Sequence, residues 1–394
     1  MRIISYRLAF FFLFLLFSIS SPAFSEELRI ETKTVKLIVP QKFNKKPFNT
    51  ERTLTAPKGF RISVFAAGLG NVRFMAVDSE GFIYASVPDE GKVLVLPDKD
   101  KDGVADSVII FAKGLSRPHG LAFRGRDLIV AETNKLTLLR DDNGDLKAEV
   151  KKVITEEIPG GGGHWTRTVV IGPDKKLYVS AGSSCNACIE SDQRRAAILR
   201  FPEGDIFAKG LRNSVGIAFH PDSGELWTVD NGRDMLGDEI PPEELNKVLE
   251  GGDYGWPYCY GDRVPDPEFG SPERCKETLA PVIKMQAHSA PLGMAFGYGL
   301  DFPQEYKKML YVAFHGSWNR TIPTGYKLVG IPFKNGKPSG EVVDIITGWM
   351  KDGDVWGRPV APLVGKDGAL YLSDDSAGAI YKISRNEQNS KKNR

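Results

Sequence analysis

His164 stands in the most chemically suggestive setting of this sequence. It follows four glycines, residues 160–163, and precedes an apolar segment that ends in a Gly-Pro-Asp turn at residues 172–174. Glycines let a backbone turn sharply and approach a ligand closely. An imidazole at the start of a strand can accept a proton near neutral pH, whereas a histidine inside a strand is more often a hydrogen-bonded core residue. The stretch indicates a general base, with the core histidine as the alternative.

A second candidate is the pair Arg212 and Asn213, which precedes the apolar segment 215–219. A guanidinium beside an amide offers a planar fork of donors suited to a carboxylate. An arginine that only bridges neighbouring elements is the structural alternative. Further along, Tyr254 and Trp256 could stack on a planar ligand, although aromatic side chains are at least as often part of a core.

The loop at residues 98–106 is rich in carboxylates. Asp98, Asp100, Asp102 and Asp106 alternate around Gly103. Oxygen ligands and a glycine turn are what a hard cation such as Ca²⁺ requires, but no glutamate stands at the twelfth position, so the loop is not a full EF-hand. The pattern predicts a Ca²⁺ site, with a solvated acidic turn as the alternative.

The N-terminus has the pattern of an export signal. Arg2 and Arg7 precede the apolar run 8–17, and small residues follow up to Ser25. We expect residues 1–25 to be a cleaved signal peptide, with a membrane anchor as the alternative, and a periplasmic or secreted mature protein. The run is short for a membrane span, and no later segment is long and apolar enough for one.

Charge and cysteine content agree with an exported protein that binds a small molecule. The whole chain has a formal net charge of +2, and loss of the two signal arginines brings it to zero. This balance gives no electrostatic reason to bind nucleic acid or an anionic membrane. The four cysteines predict disulfides, most simply Cys185–Cys188 and Cys259–Cys275, with zinc binding as a weaker alternative.

Six apolar tetrads recur along the chain, each followed by a turn and a β-rich strand. They are centred on Ala76, Ala122, Val170, Ala218, Ala295 and Leu363. The first four are about 46 to 48 residues apart, which is the size of a four-stranded propeller blade. The sequence therefore predicts an all-β, six-bladed β-propeller at residues 58–385, with an N-terminal arm at 26–57 and a polar tail at 386–394. A β-sandwich with coincidental repeats is the alternative.

The repeats also predict where the candidate site residues lie in the fold. Five residues lie just before or at the tetrads: His119, His164, Arg212, His288 and Arg358. The first strand of each propeller blade lines the central channel, so equivalent positions converge. We expect these side chains near one mouth of the channel.

Taken together, these motifs resemble the pyrroloquinoline quinone-dependent glucose/sorbosone dehydrogenases, and most closely their sorbosone dehydrogenase-like branch. The similarity covers nearly all of residues 58–385. It is carried by residues 160–174, 210–219, 251–257, 315–320 and 367–375.

The resemblance implies a six-bladed propeller with the quinone over the channel mouth. It assigns His164 as the general base, and Arg212 as a catalytic residue that contacts the cofactor beside Asn213. It places Ca²⁺ at the carbonyls of Gly232 and Arg233. Three further residues are candidates for the cofactor carboxylates: Arg320, Lys327 and Arg358.

The expected function is oxidation of a sugar, a sorbosone-like aldehyde or a related alcohol, with electrons passed to a quinone or a cytochrome c. Gly163 replaces the acidic residue of soluble glucose dehydrogenases, and the second-blade glutamine of the family has no clear counterpart near residues 115–119, so glucose itself is disfavoured. Two alternatives are a Ca²⁺-dependent propeller lactonase or esterase and a non-catalytic propeller that binds carbohydrate or protein. The arginines and histidines expected at the mouth disfavour the first, which needs carboxylate or asparagine ligands there.

Overall fold

The structure, a computed structural model, describes residues 30–386, so the predicted signal peptide at 1–25 and all but the first residue of the tail at 386–394 lie outside the described residues. Helices are few and short in the described chain. They are the α-helices Pro272–Lys276 and Gln304–Lys307 and the 3-10 helices Gln41–Phe43 and Pro88–Glu90. None of them is long and apolar enough to cross a membrane.

Six sheets form a ring, each built on four antiparallel blade strands, which confirms the predicted six-bladed β-propeller. Blade one contains Met75–Val77, Ile83–Val87, Lys92–Leu96 and Ile109–Ala112. Blade two contains Leu121–Arg124, Asp127–Ala131, Leu136–Arg140 and Val150–Thr155. Blade three contains Arg167–Ile171, Leu177–Ala181, Ala197–Phe201 and Asp205–Lys209. Blade four contains Gly216–Phe219, Leu226–Asp230, Glu243–Val248 and Ile283–Met285. Blade five contains Pro291–Phe296, Met309–Phe314, Lys327–Lys334 and Val343–Ile346. Blade six contains Pro359–Val364, Leu370–Asp374, Ala379–Arg385 and Phe60–Ala67.

Blade six closes the ring with strands from both ends of the propeller. Phe60–Ala67 is its outermost strand and pairs antiparallel with Ala379–Arg385, so that Phe60 lies opposite Arg385. The hydrogen bonds of this ladder join the first and last parts of the ring in one sheet. Closure of this kind leaves no open sheet edge between the last blade and the first.

The residues before the ring pack on its outer face. Thr32–Lys36 pairs with Thr53–Pro57, and Thr55 forms a bridge to Thr347 near blade five. Phe48 makes edge contacts with the rings of Trp356 and Tyr381. The described part of the arm thus buries apolar side chains against blades five and six.

Four further small strands and hairpins decorate the blades. Gly252–Asp253 adds to blade three in parallel, Cys259–Tyr260 pairs with Val264–Pro265, Lys337–Pro338 pairs with Lys327–Lys334, and Met350–Lys351 pairs with Asp354–Val355. Disulfides join Cys185 to Cys188 and Cys259 to Cys275, which confirms the predicted pairing.

The second strand of each blade is the most buried part of the fold. In five of the six blades it is buried along its whole length, because apolar side chains on both faces pack against neighbouring blades. Between blades two and three, for example, Ile129 and Ala131 pack in one cluster with Val169 and Val179. Strands held from both sides have a fixed register, and this fixes the positions of the loops at their ends.

The loops that contain the candidate site residues lie at one end of the ring. In every blade the first strand begins where its antiparallel partner, the second strand, ends. Residues just before the first strands and just after the second strands therefore share one mouth of the channel.

Candidate active site

The glycine loop before His164 is held by two buried arginines. Arg167 donates to the carbonyl oxygens of Pro159 at 2.6 Å and of His164 at 2.9 Å. Arg195 donates to the carbonyl oxygens of Gly160 and Gly161. A side chain at Gly162 could not be accommodated, since its Cβ would lie 2.7 Å from the Cα of Ser184 and its φ is +80°. These contacts fix the conformation of the loop directly before His164.

The hydrogen bonds of His164 fix its tautomer. Its Nδ1 lies 3.1 Å from the backbone oxygen of Ser183 and 2.7 Å from the Ser183 hydroxyl oxygen. The carbonyl can only accept, and the hydroxyl donates its own proton to the Cys185 carbonyl at 2.7 Å. The proton on the ring is therefore assigned to Nδ1. Nε2 makes no hydrogen bond to any residue within 30–386, and its lone pair is free to accept a proton.

The surroundings of His164 keep the imidazole neutral. Burial lowers its pKa to about 3, and the positive charges of Arg212, Arg167 and Arg195 add to the effect. Only the neutral form can accept a proton, so this environment makes His164 available as a base over a wide pH range.

Arg212 is buried at the start of blade four and is held by three acceptor residues. Its Nε donates to the backbone oxygen of Asn186 at 2.8 Å, and its Nη2 donates to the Asn186 side-chain oxygen at 2.9 Å. Nη1 donates to the Asn231 carbonyl at 3.1 Å, and the Asp234 carboxylate lies 3.4 Å from Nη2. Burial lowers the pKa of Arg212, although Asp234 and Asp230 favour its charge. These contacts fix the plane of the guanidinium.

Asn213 lies directly beside His164. A Cβ at Gly182 would meet the His164 Cβ at 2.6 Å and the Asn213 side-chain oxygen at 2.9 Å, so only glycine leaves room for both. The backbone of Asn213 is anchored by the Asp230 carboxylate at 2.7 Å, whereas its side-chain amide forms no hydrogen bond inside the described range. The amide is a free donor and acceptor next to the imidazole.

The loop after the second strand of blade four contains the predicted metal-binding carbonyls. Gly232 donates its backbone N–H to the buried Glu243 carboxylate at 2.8 Å, and the Arg233 side chain is paired with Asp266 at 2.7 Å. Neither Gly232 nor Arg233 has its carbonyl oxygen hydrogen-bonded within residues 30–386. Two such carbonyls suit a hard cation, which prefers oxygen ligands.

The three predicted carboxylate-binding residues differ in setting. Arg358 donates to the carbonyl oxygens of His315 at 3.1 Å and Gly316 at 2.7 Å, at the channel mouth. Arg320 donates to the Asp238 carbonyl at 3.1 Å and to the Glu239 carboxylate. Lys327 begins the third strand of blade five and pairs with Asp344 of the outer strand at 2.7 Å. Arg358 is the one whose partners are backbone oxygens alone.

The other two histidines expected at the mouth are engaged by the protein. His119 is fully buried, and its ring lies 4.3 Å from that of Phe74. Burial lowers its pKa well below the usual value. His288 directs Nε2 to the Gly237 carbonyl at 2.7 Å. Each keeps one ring nitrogen without a hydrogen-bond partner among residues 30–386, the fully buried Nε2 in His119 and Nδ1 in His288.

A network that the sequence did not reveal links blades five, six and one. His315 Nε2 lies 2.9 Å from the Asp375 carboxylate, and Arg73 binds the other oxygen of Asp375 at 2.6 Å. Burial lowers the pKa of His315 to about 4, so the ring is neutral and donates Nε2–H to the aspartate. All three residues follow a second strand or precede a first strand, and this shared position is the signal that could have identified them.

The acidic loop at 98–106 lies at the opposite end of the ring from His164. Ligand oxygens of Asp98, Asp100 and Asp102 lie within 4.8 Å of one another. Asp106 instead accepts from the Lys99 N–H at 2.7 Å. Burial raises the pKa of Asp98, whose Oδ1 is buried without a partner among residues 30–386. The structure therefore does not bring this loop together with Gly232 and Arg233.

Three guanidinium groups at the mouth have no carboxylate partner among residues 30–386. The hydrogen-bond partners of Arg167, Arg195 and Arg358 are all backbone carbonyl oxygens. Buried charges are normally paired with opposite charges or neutralised. Guanidinium groups gathered around an open imidazole fit an anionic, planar ligand with several carboxylates.

The chain belongs to the TrAA12-like family, which matches residues 54–386. It is 25% identical over 406 aligned residues to a pyrroloquinoline quinone-dependent pyranose dehydrogenase of Coprinopsis cinerea, covering 84% of this chain and 54% of that protein. The chain therefore spans about half the length of that relative. It is also 29% identical over 351 residues to an uncharacterised protein of Borreliella burgdorferi, covering 84% and 90% of the two chains.

Solved structures agree on the fold. The pyrroloquinoline quinone domain of the Coprinopsis cinerea pyranose dehydrogenase in its holo form has a TM-score of 0.75 at 22% identity, covering 89% of this chain and all of that one. A calcium structure of the Trichoderma reesei AA12 enzyme has a TM-score of 0.74 at 24% identity, covering 84% and 96%. The likeness shows a common propeller architecture.

Proposed function

We propose that this protein is a pyrroloquinoline quinone-dependent oxidoreductase that oxidises a hydroxyl or hydrated aldehyde group of a sugar or a related alcohol. The observation that carries the proposal is the free Nε2 of a neutral His164 at a mouth ringed by guanidinium groups. Membership of the TrAA12-like family and the pyrroloquinoline quinone-dependent activity of the Coprinopsis cinerea relative support it.

The residues at the mouth fit the cofactor. Pyrroloquinoline quinone is a planar tricarboxylate, and the site offers Arg358 with only carbonyl partners, Arg212 in a fixed plane, and the free amide of Asn213. Arg320 and Lys327 complete the proposed set, although both already pair with carboxylates of the protein. When bound, the cofactor supplies a carbonyl carbon that accepts hydride.

His164 supplies the base. The proton of the substrate hydroxyl passes to Nε2 while Nδ1–H stays bonded to Ser183, and the resulting imidazolium is stabilised by that acceptor. Arg212 adds a fixed positive charge that favours negative charge developing on the acceptor side of the reaction. Its buried, capped guanidinium needs no reorganisation during turnover.

Ca²⁺ is proposed at the carbonyls of Gly232 and Arg233, with Glu243 holding the loop through the Gly232 N–H. There it would supply a Lewis acid beside the mouth. We assign Asp98, Asp100 and Asp102, with Asp106 at the edge of the same loop, to a separate structural cation at the far end of the ring. The two sites are chemically distinct, because one uses carbonyls and the other carboxylates.

The proposed setting is extracellular or periplasmic. Two disulfides suit an oxidising compartment, and the segment 1–25 has the pattern of a signal peptide. Gly163 leaves no acidic side chain next to His164, so the preferred sugar is proposed to differ from glucose.

The proposal is tested by reconstituting the mature protein with pyrroloquinoline quinone and Ca²⁺. We expect a change in the cofactor absorbance on binding, and bleaching of an artificial electron acceptor with at least one member of a panel of aldoses, sorbosone and sugar alcohols. The panel also contains lactones and esters, which should not be hydrolysed. Failure to bind the cofactor, or hydrolysis without oxidation, would reject the assignment.

A further inference from the structure

Arg117 is a charged residue at the channel mouth to which the proposed function assigns no role. It lies just before the first strand of blade two, on the mouth side of the ring. Its guanidinium carbon lies 3.9 Å from the centre of the Trp165 ring. Trp165 directly follows His164 in the chain, so the Cα atoms of these two residues are about 3.8 Å apart. Arg117 therefore contacts the residue next to the proposed base.

Stacking on Trp165 leaves the hydrogen-bonding edge of Arg117 free. A guanidinium stacks through its face, whereas its N–H donors point outward in its own plane. None of these donors forms a hydrogen bond within residues 30–386, and the side chain is 48% exposed. The contact with Asp89 is 4.0 Å long, which is too far for a hydrogen bond, and the other oxygen of Asp89 accepts from Asn71 at 2.6 Å. The fork is therefore open to a carboxylate of a ligand.

The backbone around Arg117 is fixed by the protein. Ser116 donates its N–H to the carboxylate of Glu132, which is fully buried. His119 donates its N–H to a backbone carbonyl of the second strand of blade two at 2.9 Å. Arg117 itself has a φ of +50° and precedes Pro118, and a positive φ is uncommon for a residue other than glycine. The surroundings hold Arg117 in this conformation, so its backbone does not have to be ordered when a ligand binds.

The proposed cofactor contacts leave the side of the mouth around Arg117 unused. Arg212 precedes the first strand of blade four and Arg358 precedes that of blade six, whereas Arg117 and Trp165 precede those of blades two and three. Gly163, next to the base, adds no negative charge that would repel an anion. A cation with a free fork on this side is suited to a charged group of the substrate.

We propose that Arg117 binds a carboxylate of the substrate and that the preferred substrate is a hexuronic acid. The inference rests on the proposed function. In the pyranose form of a hexuronic acid, the carboxylate is attached to C5, on the other side of the ring oxygen from C1. When the C1 hydroxyl is at Nε2 of His164, the carboxylate needs a cation that is near the base but not bonded to it. Arg117 meets this requirement, because it stacks on Trp165 and forms no hydrogen bond to His164.

Oxidation of the C1 hydroxyl is a two-electron step. The C1–H bond breaks, and the hydride passes to the carbonyl carbon of pyrroloquinoline quinone. The hydroxyl proton passes to Nε2 of His164, and the C1–O bond becomes the carbonyl of the lactone. The carboxylate stays ionised throughout, so Arg117 determines specificity and takes no part in the bond changes.

The test compares D-glucuronate and D-galacturonate with their methyl esters, which have the same rings but no charge. Arg117→Gln removes the guanidinium, and Arg117→Lys keeps the charge but not the planar fork. Arg126→Gln is the matched control. Arg126 is also exposed on blade two, but it lies at the end of the ring opposite to the mouth, where it donates to the Asp141 carbonyl at 2.8 Å.

In the reconstituted wild type, with an artificial electron acceptor, we expect kcat/KM for a uronate to exceed that for its ester by about tenfold or more. Arg117→Gln should lower this ratio by about tenfold, mainly through KM, because the carboxylate contact is the same before and during the chemical step. Arg117→Lys should give an intermediate ratio, and Arg126→Gln should keep the wild-type ratio. A wild type that does not prefer the acid to the ester overturns the proposal, as does an unchanged ratio in Arg117→Gln.

Calorimetric titration of the cofactor-free protein with the same acids and esters separates failure of this proposal from failure of the proposed function. If the reconstituted wild type oxidises no sugar, the proposed function fails, but the titration still reports on the carboxylate site. Binding of a uronate about tenfold more tightly than its ester, with the preference lost in Arg117→Gln and kept in Arg126→Gln, supports the site. Equal binding of acid and ester, or no binding of either, rejects it.

Discussion

Asn186 caps the Arg212 guanidinium twice, through its backbone oxygen at 2.8 Å from Nε and its side-chain oxygen at 2.9 Å from Nη2. Asn186 lies inside the loop that the Cys185–Cys188 disulfide closes. The same loop accepts the proton of the Ser183 hydroxyl at the Cys185 carbonyl. One small disulfide loop therefore orients both Arg212 and His164.

Replacing Cys185 and Cys188 together with serine should lower kcat and weaken cofactor binding with little loss of stability. The crosslink spans only three residues, so it restricts the unfolded chain far less than a long loop does, whereas its loss frees Asn186 and Ser183. Turnover, the cofactor Kd and the free energy of unfolding are the measurements.

The Cys259–Cys275 pair provides the contrast. It spans 16 residues of the blade-four insertion, so its replacement by serines should cost about 3 kcal/mol of unfolding free energy and leave kcat nearly unchanged. Equal kinetic effects from the two pairs would show that the Cys185–Cys188 loop has no special role at the mouth.

His164→Ala should lower turnover by about 10²- to 10⁴-fold, the usual contribution of a positioned base. Cofactor affinity should be retained, because the proposed charge contacts come from Arg212, Arg358 and Ca²⁺. Ser183→Ala is the milder companion variant, since the backbone oxygen of Ser183 still accepts from Nδ1 at 3.1 Å. Near-normal turnover of the alanine variant, in a preparation shown to hold the cofactor, would exclude His164 as the base.

Activity should persist to unusually low pH for a histidine base. Burial and the charges of Arg212, Arg167 and Arg195 lower the pKa of His164 to about 3. Above pH 3 the imidazole is therefore neutral and can accept a proton. Below pH 3 it is protonated and cannot act as a base. An unperturbed histidine would lose half its activity near pH 6.5. The profile of kcat/KM against pH measures this, with activity recovered on return to pH 7 as the control for unfolding. An acid limb at pH 6.5 or above would contradict the expectation.

Arg212→Lys should weaken cofactor binding and reduce turnover together. Lysine keeps the charge but cannot reproduce the fork that Asn186 and Asn231 hold in one plane. Cofactor titration and steady-state kinetics report the two effects. Arg200→Lys is the control, because Arg200 forms ion pairs with Asp205 and Glu250 away from the mouth. A change in turnover alone would place Arg212 outside the cofactor-binding set.

Much of the propeller could be read from the sequence because blade structure is local. Each predicted tetrad overlaps the first strand of a blade, with its ends shifted by no more than two residues, and the β-rich segment after it forms the second strand. An apolar tetrad, a turn and a β-rich segment are near neighbours in the chain, so their composition reports on them directly. The small shifts arise because ladder partners set the ends of strands.

Candidate site residues could be located from the sequence only where they lie at a repeating position. His164, Arg212 and Arg358 were identified because each precedes a first strand. Asn186 was missed because its contact with Arg212 joins residues 26 apart in two different blades. The His315–Asp375 contact joins residues 60 apart. Such pairings depend on how neighbouring blades stack, which no local pattern encodes.

Ring closure has a consequence for how the chain folds. The strand Phe60–Ala67 finds its partner only when Ala379–Arg385 is present, and the Arg61 and Ser384 side chains that meet across this ladder are 323 residues apart in sequence. The strand therefore stays without this partner until the last blade forms, because contacts this distant in sequence are slow to close. Until then the strand has an exposed edge, which favours aggregation of the incompletely folded chain.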